Sequence, residues 1–299
     1  MKGRTLLKAC RLEACPASLA PVATGGLLAR VWWEEAFSWS RFAVALGAGL
    51  ALHTAANLWN DYFDFKGGVD RRGGAEGSGV LTRGECTPGE LWAWAWGFAA
   101  VAAAGGVFLA WQRGWGILVL GALGLAAALG YSAGRGSPKR RRLGEAWAML
   151  WMGAGMTAGG AMAQMGMFSW RAAACGIPGA LLTGLLMFTA NWRDLEADRA
   201  AGVKTLAQLG KNGRELFWTA HFWLWSAYGA LACLTETGVM PPGARWGLAS
   251  APLAVAWQVR LWKRGGADEG AVKGIAGVQL AFAVLVAVGL LEGGCAIRR

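Results

Sequence analysis

The chain has 299 residues, of which 55% are hydrophobic and only 16% are charged, and its mean hydropathy is +0.36. This balance excludes an ordinary soluble domain, in which charged residues are more frequent. The formal net charge is +11, but the basic residues are spread over several loops and no nucleic-acid-binding motif is present. We therefore expect membrane lipids around the protein and no nucleic-acid partner.

Hydrophobic segments long enough to cross a bilayer as helices follow one another along the chain, and none alternates like a strand. They predict an all-α membrane bundle of about nine transmembrane helices around a central cavity open to the cytoplasmic side. We expect one domain over residues 1–299. The segments are 15–33, 42–60, 91–111, 115–133, 146–170, 172–192, 216–234, 246–262 and 274–291.

The distribution of basic residues predicts the orientation of this bundle. With the N-terminus in the cytoplasm, 22 of the 29 Lys and Arg residues fall in cytoplasmic segments, as the positive-inside rule requires. The expected location is a bacterial inner membrane, with the active site facing the cytoplasm. The run "SPKRRR" at 137–142 is predicted to be a topology signal that contacts anionic lipids.

Two long cytoplasmic loops each begin with an acidic cluster at the end of an even-numbered span. The first cluster reads "NDYFDFKGGVD" from Asn60 to Asp70, and the second begins "NWRDLEADRAAGVKTL" at Asn191. The two clusters lie four spans apart in the same orientation, which indicates two similar halves. A closed bundle would bring the two clusters together across the cavity.

Helical spacing places the acidic and amide side chains on shared faces, because residues three and four apart are neighbours on a helix. Asn57, Asp61 and Asp64 form one stripe of the second span, and Asn60 lies beside Asp64 on the next. Asn191, Asp194 and Asp198 form the corresponding stripe of the sixth span.

Carboxylate and amide oxygens in open arrays suit Mg²⁺, which keeps some waters and completes its shell with substrate phosphate. A single acid at a helix end is as often only solvated or a helix cap. Two matched clusters favour function, because charge close to hydrocarbon is costly. A lipid diphosphate needs both a metal site at the membrane surface and an apolar interior, so the clusters predict binding and ionisation of such a molecule.

These motifs resemble the two aspartate-rich signatures of the UbiA-type intramembrane prenyltransferases. The first is similar to that of the menaquinone-pathway branch, and the resemblance extends to "RLEACPASLAPV" (11–22), "GSGVLTRGE" (77–85), "YSAGR" (131–135) and "LGE" (143–145). The resemblance implies a Mg²⁺-dependent transferase. Its expected reaction is transfer of a polyprenyl group from polyprenyl diphosphate to 1,4-dihydroxy-2-naphthoate, with loss of the carboxylate.

The resemblance also implies roles for individual residues, to which we add the loop cations Lys66, Arg83 and Lys204. The expected metal ligands are Asn60, Asp61, Asp64, Asp70, Asn191, Asp194 and Asp198. The expected diphosphate-binding residues are Asn60, Lys66, Arg83, Arg135, Arg193 and Lys204. The expected catalytic residues are Asp64, Asp194, Asp198 and Tyr131. Arg135 stands where the family's Tyr-x-x-x-Lys element has lysine, and Gly68 stands where many relatives carry the last aspartate of the first motif.

Two alternatives remain open at this point. The same chemistry could act on another aromatic acceptor, such as 4-hydroxybenzoate, homogentisate or a tetrapyrrole. A membrane cation transporter would use the acids as an ion path, but it requires ionisable residues deep within several spans, which most segments lack. His53, one turn before Asn57, is more often a packed or helix-bonded histidine than a contact to the acceptor ring.

Overall fold

The protein is described by a computed structural model that covers residues 2–11, 14–69, 77–134 and 136–296. Two predicted site residues, Asp70 and Arg135, lie outside these described residues. The described chain is built from helices, and no strand occurs within it, which confirms the all-α prediction. The α-helices are α1 (Lys2–Cys10), α2 (Pro16–Trp32), α3 (Trp39–Gly67), α4 (Pro88–Arg113), α5 (Gly116–Gly130), α6 (Gly144–Ala148), α7 (Met156–Met165), α8 (Trp170–Cys175), α9 (Ile177–Arg193), α10 (Leu195–Ala201), α11 (Gly213–Glu236), α12 (Ala251–Arg264) and α13 (Glu269–Ala296).

Short irregular helices interrupt several of these rods. A π-helix, Met149–Gly155, joins α6 to α7, and a 3₁₀-helix, Pro242–Ser250, leads directly into α12. Pro178 in the first turn of α9 separates that helix from α8, because proline fits the start of a helix but not its interior. These interruptions allow neighbouring helices to meet closely.

Three helices are long and apolar enough to cross a membrane: α3, α4 and residues Glu269–Glu292 of α13. The other predicted segments coincide with helices that are shorter, interrupted or less apolar; α2, for example, has 17 residues. The count of nine membrane-spanning helices therefore stays a prediction.

Helix α2 packs against α3, α7 and α13. Small residues permit the closest of these contacts, since a side chain on Gly25 would collide with Thr157 and one on Gly160 would collide with Val22. Such glycine contacts between backbones are typical of helix packing in membranes. The largest apolar core lies among α2, α9, α11, α12 and α13, and a second core fills the space between α3 and α4.

The ends of α3 and α9 meet at the same end of the bundle. The loop after α3 and the end of α10 share a small buried cluster of Val69, Ala201 and Val203. The loop after α5 joins them there, because the backbone N–H of Arg142 donates to the carbonyl oxygen of Lys204 at 2.9 Å. Both acidic motifs therefore lie at one end of the protein.

Candidate active site

The first acidic motif ends in a left-handed turn that orients the backbone around Asp64. Gly68 has φ 71° and ψ 18°, a conformation that glycine adopts without the steric cost of a side chain. The turn brings the N–H of Val69 back to the carbonyl oxygen of Asp64 at 3.0 Å. Val69 is buried against the second motif, so this turn fixes the end of α3 to its counterpart.

The second motif has the same local structure around Asp198. Gly202 has φ 73° and ψ 20°, and the N–H of Val203 donates to the carbonyl oxygen of Asp198 at 2.9 Å. Both copies follow the pattern N-x-x-[N/D]-x-x-x-D-x-x-x-G-V, which begins at Asn57 in one and Asn191 in the other. This shared pattern and geometry support the expectation of two similar halves.

Asp64 and Asn60 share a cationic partner from a distant loop. The Lys139 ammonium forms an ion pair with Asp64 Oδ2 and donates to Asn60 Oδ1 at 2.8 Å. Ser132 Oγ donates to the same Asn60 oxygen at 2.7 Å. Asp64 is only 3% exposed, and its second oxygen, Oδ1, has no hydrogen-bond partner among the described residues.

Asp61 holds the loop that follows the first motif. The backbone N–H of Ser78 donates to Asp61 Oδ2 at 3.0 Å, and the Ser78 hydroxyl donates to the same oxygen. Gly77 lies so close to Asp61 Oδ1 that a Cβ atom there would overlap it. Asp61 Oδ1 itself is buried with no hydrogen-bond partner in the described chain, so one of its oxygens stays available.

A charged network fixes the far side of this loop to the N-terminal helix. Arg83 Nε donates to Glu85 Oε1 at 2.7 Å, and Arg83 Nη2 donates to the carbonyl oxygen of Ser78 at 2.9 Å. Lys8 of α1 pairs with Glu85 at 2.9 Å. The hydrogen bonds from Arg83, followed by that from Lys8, lower the pKa of Glu85. Arg83 was predicted to bind diphosphate, but its hydrogen bonds in this structure are to residues of its own loop, Glu85 and Ser78.

The second acidic motif is paired with Arg193. This guanidinium donates to both oxygens of Asp194, at 2.7 and 2.6 Å, and to Glu269 at 2.5 Å. Asn191 Nδ2 donates to Glu145 Oε1 at 2.8 Å. A two-pronged arginine–carboxylate contact of this kind is geometrically specific, so Asp194 is held in a defined position.

Asp198 links the two clusters. It is only 7% exposed, and the charges of Asp194, Lys139 and Asp64 all act on it. Burial, followed by the negative charge of Asp194, raises the pKa of Asp198 to about 6, while Lys139 opposes the shift. The carboxylates of both motifs and one lysine therefore share a single electrostatic environment.

The remaining predicted residues occupy different positions around this environment. Tyr131 points its hydroxyl at Met187 Sδ, 3.6 Å away, and the charges of Asp64 and Asp198 act on it. The Lys66 ammonium lies over the ring of Tyr62, 4.9 Å from its centroid. Lys204 is exposed on the loop after α10. Of these, Tyr131 lies with the acids, and the two lysines lie on the surrounding loops.

Lys139 was missed in the sequence analysis. It belongs to the 137–142 run, which was predicted to be a topology signal and a contact for anionic lipids, and its ion pair with Asp64 is a contact that this prediction did not include. The 3₁₀-helix Pro138–Arg140 turns the run back over α3, and Lys139 N donates to the carbonyl oxygen of Tyr131 at 3.2 Å. A lysine close in sequence to the Tyr131 element was the signal that could have identified it.

The side chains of the two motifs offer carboxylate and amide oxygens, the atom type that a hard cation such as Mg²⁺ prefers. No three His, Cys, Asp or Glu side chains are arranged to hold a metal ion within the described ranges. Asp61 Oδ1 and Asp64 Oδ1 are buried carboxylate atoms that accept no hydrogen bond from any described residue, and the amide oxygen of Asn60 lies on the same helix, α3. Oxygen-only ligands and few protein donors are typical of Mg²⁺ sites that substrate phosphate completes.

Comparison with known proteins places this chain in a family. The chain is 28% identical over 241 residues to the 1,4-dihydroxy-2-naphthoate octaprenyltransferase of Bacillus subtilis (strain 168), an alignment covering 80% of this chain and 76% of that protein. The fold is similar to the apo structure of a UbiA homolog from Aeropyrum pernix K1, with TM-score 0.73, 20% identity, and coverage of 94% and 98% of the two chains.

A second solved structure carries ligands. It is a UbiA homolog from Archaeoglobus fulgidus bound to GPP and Mg²⁺, with TM-score 0.62 and 14% identity, and the match covers 99% of this chain and 100% of that one. The model of the UbiA prenyltransferase family matches residues 18–290, nearly the whole chain. This integral membrane protein therefore belongs to the UbiA prenyltransferase family.

Proposed function

We propose that this prenyltransferase moves a polyprenyl group from polyprenyl diphosphate to 1,4-dihydroxy-2-naphthoate, with loss of the carboxylate as carbon dioxide. The observation that carries the proposal is the convergence of two equivalent acidic motifs, with Lys139, at one end of an apolar bundle. A site of this kind suits a molecule with an anionic head and a long hydrocarbon tail.

The acidic residues have distinct proposed tasks. Asn60, Asp64, Asp194 and Asp198 would hold Mg²⁺, and bound Mg²⁺ would stabilise the negative charge of the departing diphosphate. Asp61 would keep the 77–85 loop in place through Ser78 and offer the metal its Oδ1 atom, which accepts no hydrogen bond from a described residue. The full predicted ligand set also includes Asn191 and, outside the described residues, Asp70. Support comes from the Mg²⁺ and GPP bound to the Archaeoglobus homolog.

Cations around the acids are the proposed partners of the diphosphate. Lys139 lies directly in the site, and Arg193 is fixed beside Asp194. A more distant set on the loops consists of Lys66, Arg83 and Lys204; Arg135, also predicted to bind diphosphate, lies outside the described residues. Positive groups held at the mouth of an apolar cavity act strongly on developing negative charge, because little water screens them.

The naphthoate acceptor is supported by the first motif and by the name of the Bacillus subtilis relative. Its dihydroxylated ring is already nucleophilic, so attack on the allylic cation requires no strong general base. Ring and cation need only be held in contact, and that positioning alone is a large part of catalysis.

Competition between acceptors tests this assignment. In membranes supplied with Mg²⁺ and one polyprenyl diphosphate, 1,4-dihydroxy-2-naphthoate should be prenylated with release of carbon dioxide, and 4-hydroxybenzoate should react poorly. Carbon dioxide released from carboxyl-labelled 1,4-dihydroxy-2-naphthoate measures the first reaction. Chromatography of the lipid extract measures the prenylated products of both acceptors. Preferential use of 4-hydroxybenzoate would refute the acceptor and leave the diphosphate site intact.

The orientation of the site is a separate proposal, that it faces the cytoplasm of a bacterial inner membrane. Cys86 lies in the loop tied to Asp61, at the same end as both motifs. In a variant with Cys86 as the single cysteine, an impermeant thiol reagent applied outside intact cells should not label the protein, whereas lysed cells should allow labelling. A single cysteine at Thr237, in the turn after α11, provides the outward-facing control. Labelling of Cys86 from outside would reverse the proposed topology.

A further inference from the structure

Six buried side-chain polar atoms on α3 have no hydrogen-bond partner among the described residues, and two of them belong to His53 and Asn57, one helical turn apart. His53 is 8% exposed, and its Nδ1 atom has no hydrogen bond to any described residue. One turn closer to the acids, the Nδ2 atom of Asn57 is buried and equally unpartnered within the described ranges. Buried polar atoms are almost always hydrogen-bonded, so adjacent orphans need an explanation.

Two comparable polar groups, Thr54 and Asn191, are satisfied by the protein itself. The hydroxyl of Thr54, the residue after His53, donates to the carbonyl oxygen of Leu50 at 2.9 Å. Asn191 occupies the position of Asn57 in the second copy of the motif, and its Nδ2 atom donates to Glu145 at 2.8 Å. Among the described residues, a partner is therefore present in the second copy and absent in the first, as expected of a position that binds a ligand.

The orphaned groups face the site. Positions 53, 57, 60 and 64 follow the four-three-four spacing of one helical stripe, so His53 and Asn57 continue inward from Asn60 and Asp64. At 1.5 Å per residue, Asn57 lies about 10 Å inward of Asp64 along the axis, and His53 about 6 Å farther. The charge of Arg11 acts on both His53 and Tyr131, so these two residues lie near the same arginine.

This depth is where an aromatic acceptor must lie. A diphosphate at Asp64 directs its allylic carbon inward, and the attacking ring has to touch that carbon. The separation of His53 and Asn57 along the helix is comparable to that of two para-hydroxyl oxygens on one ring. The Asn57 amide donates, and His53 Nδ1 donates or accepts according to its tautomer, so a hydroxyl can pair with either.

We propose that His53 and Asn57 bind the two ring hydroxyl groups of the acceptor and thereby select a 1,4-dihydroxylated ring. This inference rests on the proposed function and deepens it. The two residues act as positioning residues in the transfer, separate from the acids that hold the diphosphate.

The first test separates the two substrates kinetically. Asn57→Leu and His53→Leu should each raise the KM for 1,4-dihydroxy-2-naphthoate about tenfold, the effect of one lost hydrogen bond, and leave the KM for polyprenyl diphosphate within about twofold. His53→Gln, which restores a hydrogen-bonding side chain, should recover much of the acceptor affinity. Thr54→Val is the matched control, because it alters a buried polar residue at the same depth that already has a partner.

The second test uses an acceptor analogue. 1-Hydroxy-2-naphthoate lacks the hydroxyl group at position 4, so its inhibition constant for the wild-type enzyme should exceed the KM for 1,4-dihydroxy-2-naphthoate. The ratio of these two constants should fall in one of the two leucine variants, namely the variant that has lost the side chain that binds the 4-hydroxyl group. An unchanged acceptor KM in both variants, or an equal rise in the KM of both substrates, would overturn the inference. Wild-type protein that prenylates no aromatic acid would instead overturn the proposed function.

Discussion

Asp64→Asn should lower prenyl transfer roughly 100- to 1000-fold, the loss expected when a group that stabilises transition-state charge is removed. Asp64 is buried at the end of α3, pairs with Lys139 and has one carboxylate oxygen that no described residue contacts by a hydrogen bond. Asparagine preserves the shape of the side chain and one oxygen but removes the negative charge that a divalent cation needs. Initial rates in membranes at several Mg²⁺ concentrations measure the effect, and protein levels in those membranes report insertion.

Glu196→Gln is the matched control for this variant. Glu196 is an acid of the second motif, but its side chain is 84% exposed and pairs with Arg199 at 2.9 Å on the surface of α10. Exposed pairs contribute little, so this change should leave the rate nearly unaltered. Turnover close to wild type in Asp64→Asn would eliminate the two-motif site, whereas an equal loss in both variants would point to general damage.

The position of the acids was predictable because it depends on local geometry. Asn60 and Asp64 are four residues apart within α3, and this spacing alone aligns them on one side of that helix. The second stripe was predicted wrongly, because the helix breaks at Asp194 between α9 and α10, so Asn191, Asp194 and Asp198 do not share one continuous helix. The convergence of the two motifs required only that the bundle close on itself. Burial of Asp64 and Asp198 then follows from their position at the end of apolar helices.

The partners of these acids were not predictable in the same way. Lys139 reaches Asp64 because the loop after α5 folds back across the end of α3, and the path of a loop depends on tertiary contacts such as Arg142 with Lys204. The attachment of Ser78 to Asp61 likewise depends on where the chain returns after residues 70–76. Charge alone assigned the 137–142 run to the membrane surface, since a topology signal and a site lysine look the same in sequence.

The boundaries of the helices were also only partly predictable from the sequence. Hydropathy marks apolar stretches but does not register the π-helix Met149–Gly155 or the break before α9. The π-helix packs closely on α9, where Gly153 lies so near Ala180 that no side chain fits between the two helices. The break before α9 coincides with Pro178. Sequence periodicity therefore predicted where helices occur and not how each one is divided.

The two copies of the motif differ in how their charge is balanced. In the second copy Arg193 is adjacent in sequence to Asp194 and is held additionally by Glu269. In the first copy the cation comes from a separate loop, and Lys139 is shared between Asp64 and Asn60. An adjacent arginine is fixed by its own helix, whereas a loop lysine on a flexible stem can change partners. We therefore expect Lys139 to weaken the binding of Mg²⁺ at Asp64 and to strengthen the binding of the diphosphate.

Lys139→Met should raise the KM for polyprenyl diphosphate roughly 100-fold at saturating Mg²⁺, because a positive group facing the departing charge is lost. The same change should lower the Mg²⁺ concentration needed for half-maximal activity, because an ammonium that occupies Asp64 opposes a cation at the same carboxylate. Methionine keeps the length and apolar stem of lysine, and Lys139→Arg should retain part of the diphosphate affinity. Rates measured over a grid of Mg²⁺ and diphosphate concentrations separate the two effects.

Arg141→Met removes the same charge from an exposed position in the same loop. If the run 137–142 acted only as a topology signal or lipid contact, the two methionine variants would behave alike, and both would show altered insertion rather than altered KM. The contact with Asp64 and Asn60 predicts a change in KM confined to Lys139→Met, with normal insertion of both proteins. A Mg²⁺ requirement that rises with the diphosphate KM would instead show that Lys139 organises the acids for the metal, since freeing a competing site can only reduce the metal concentration required.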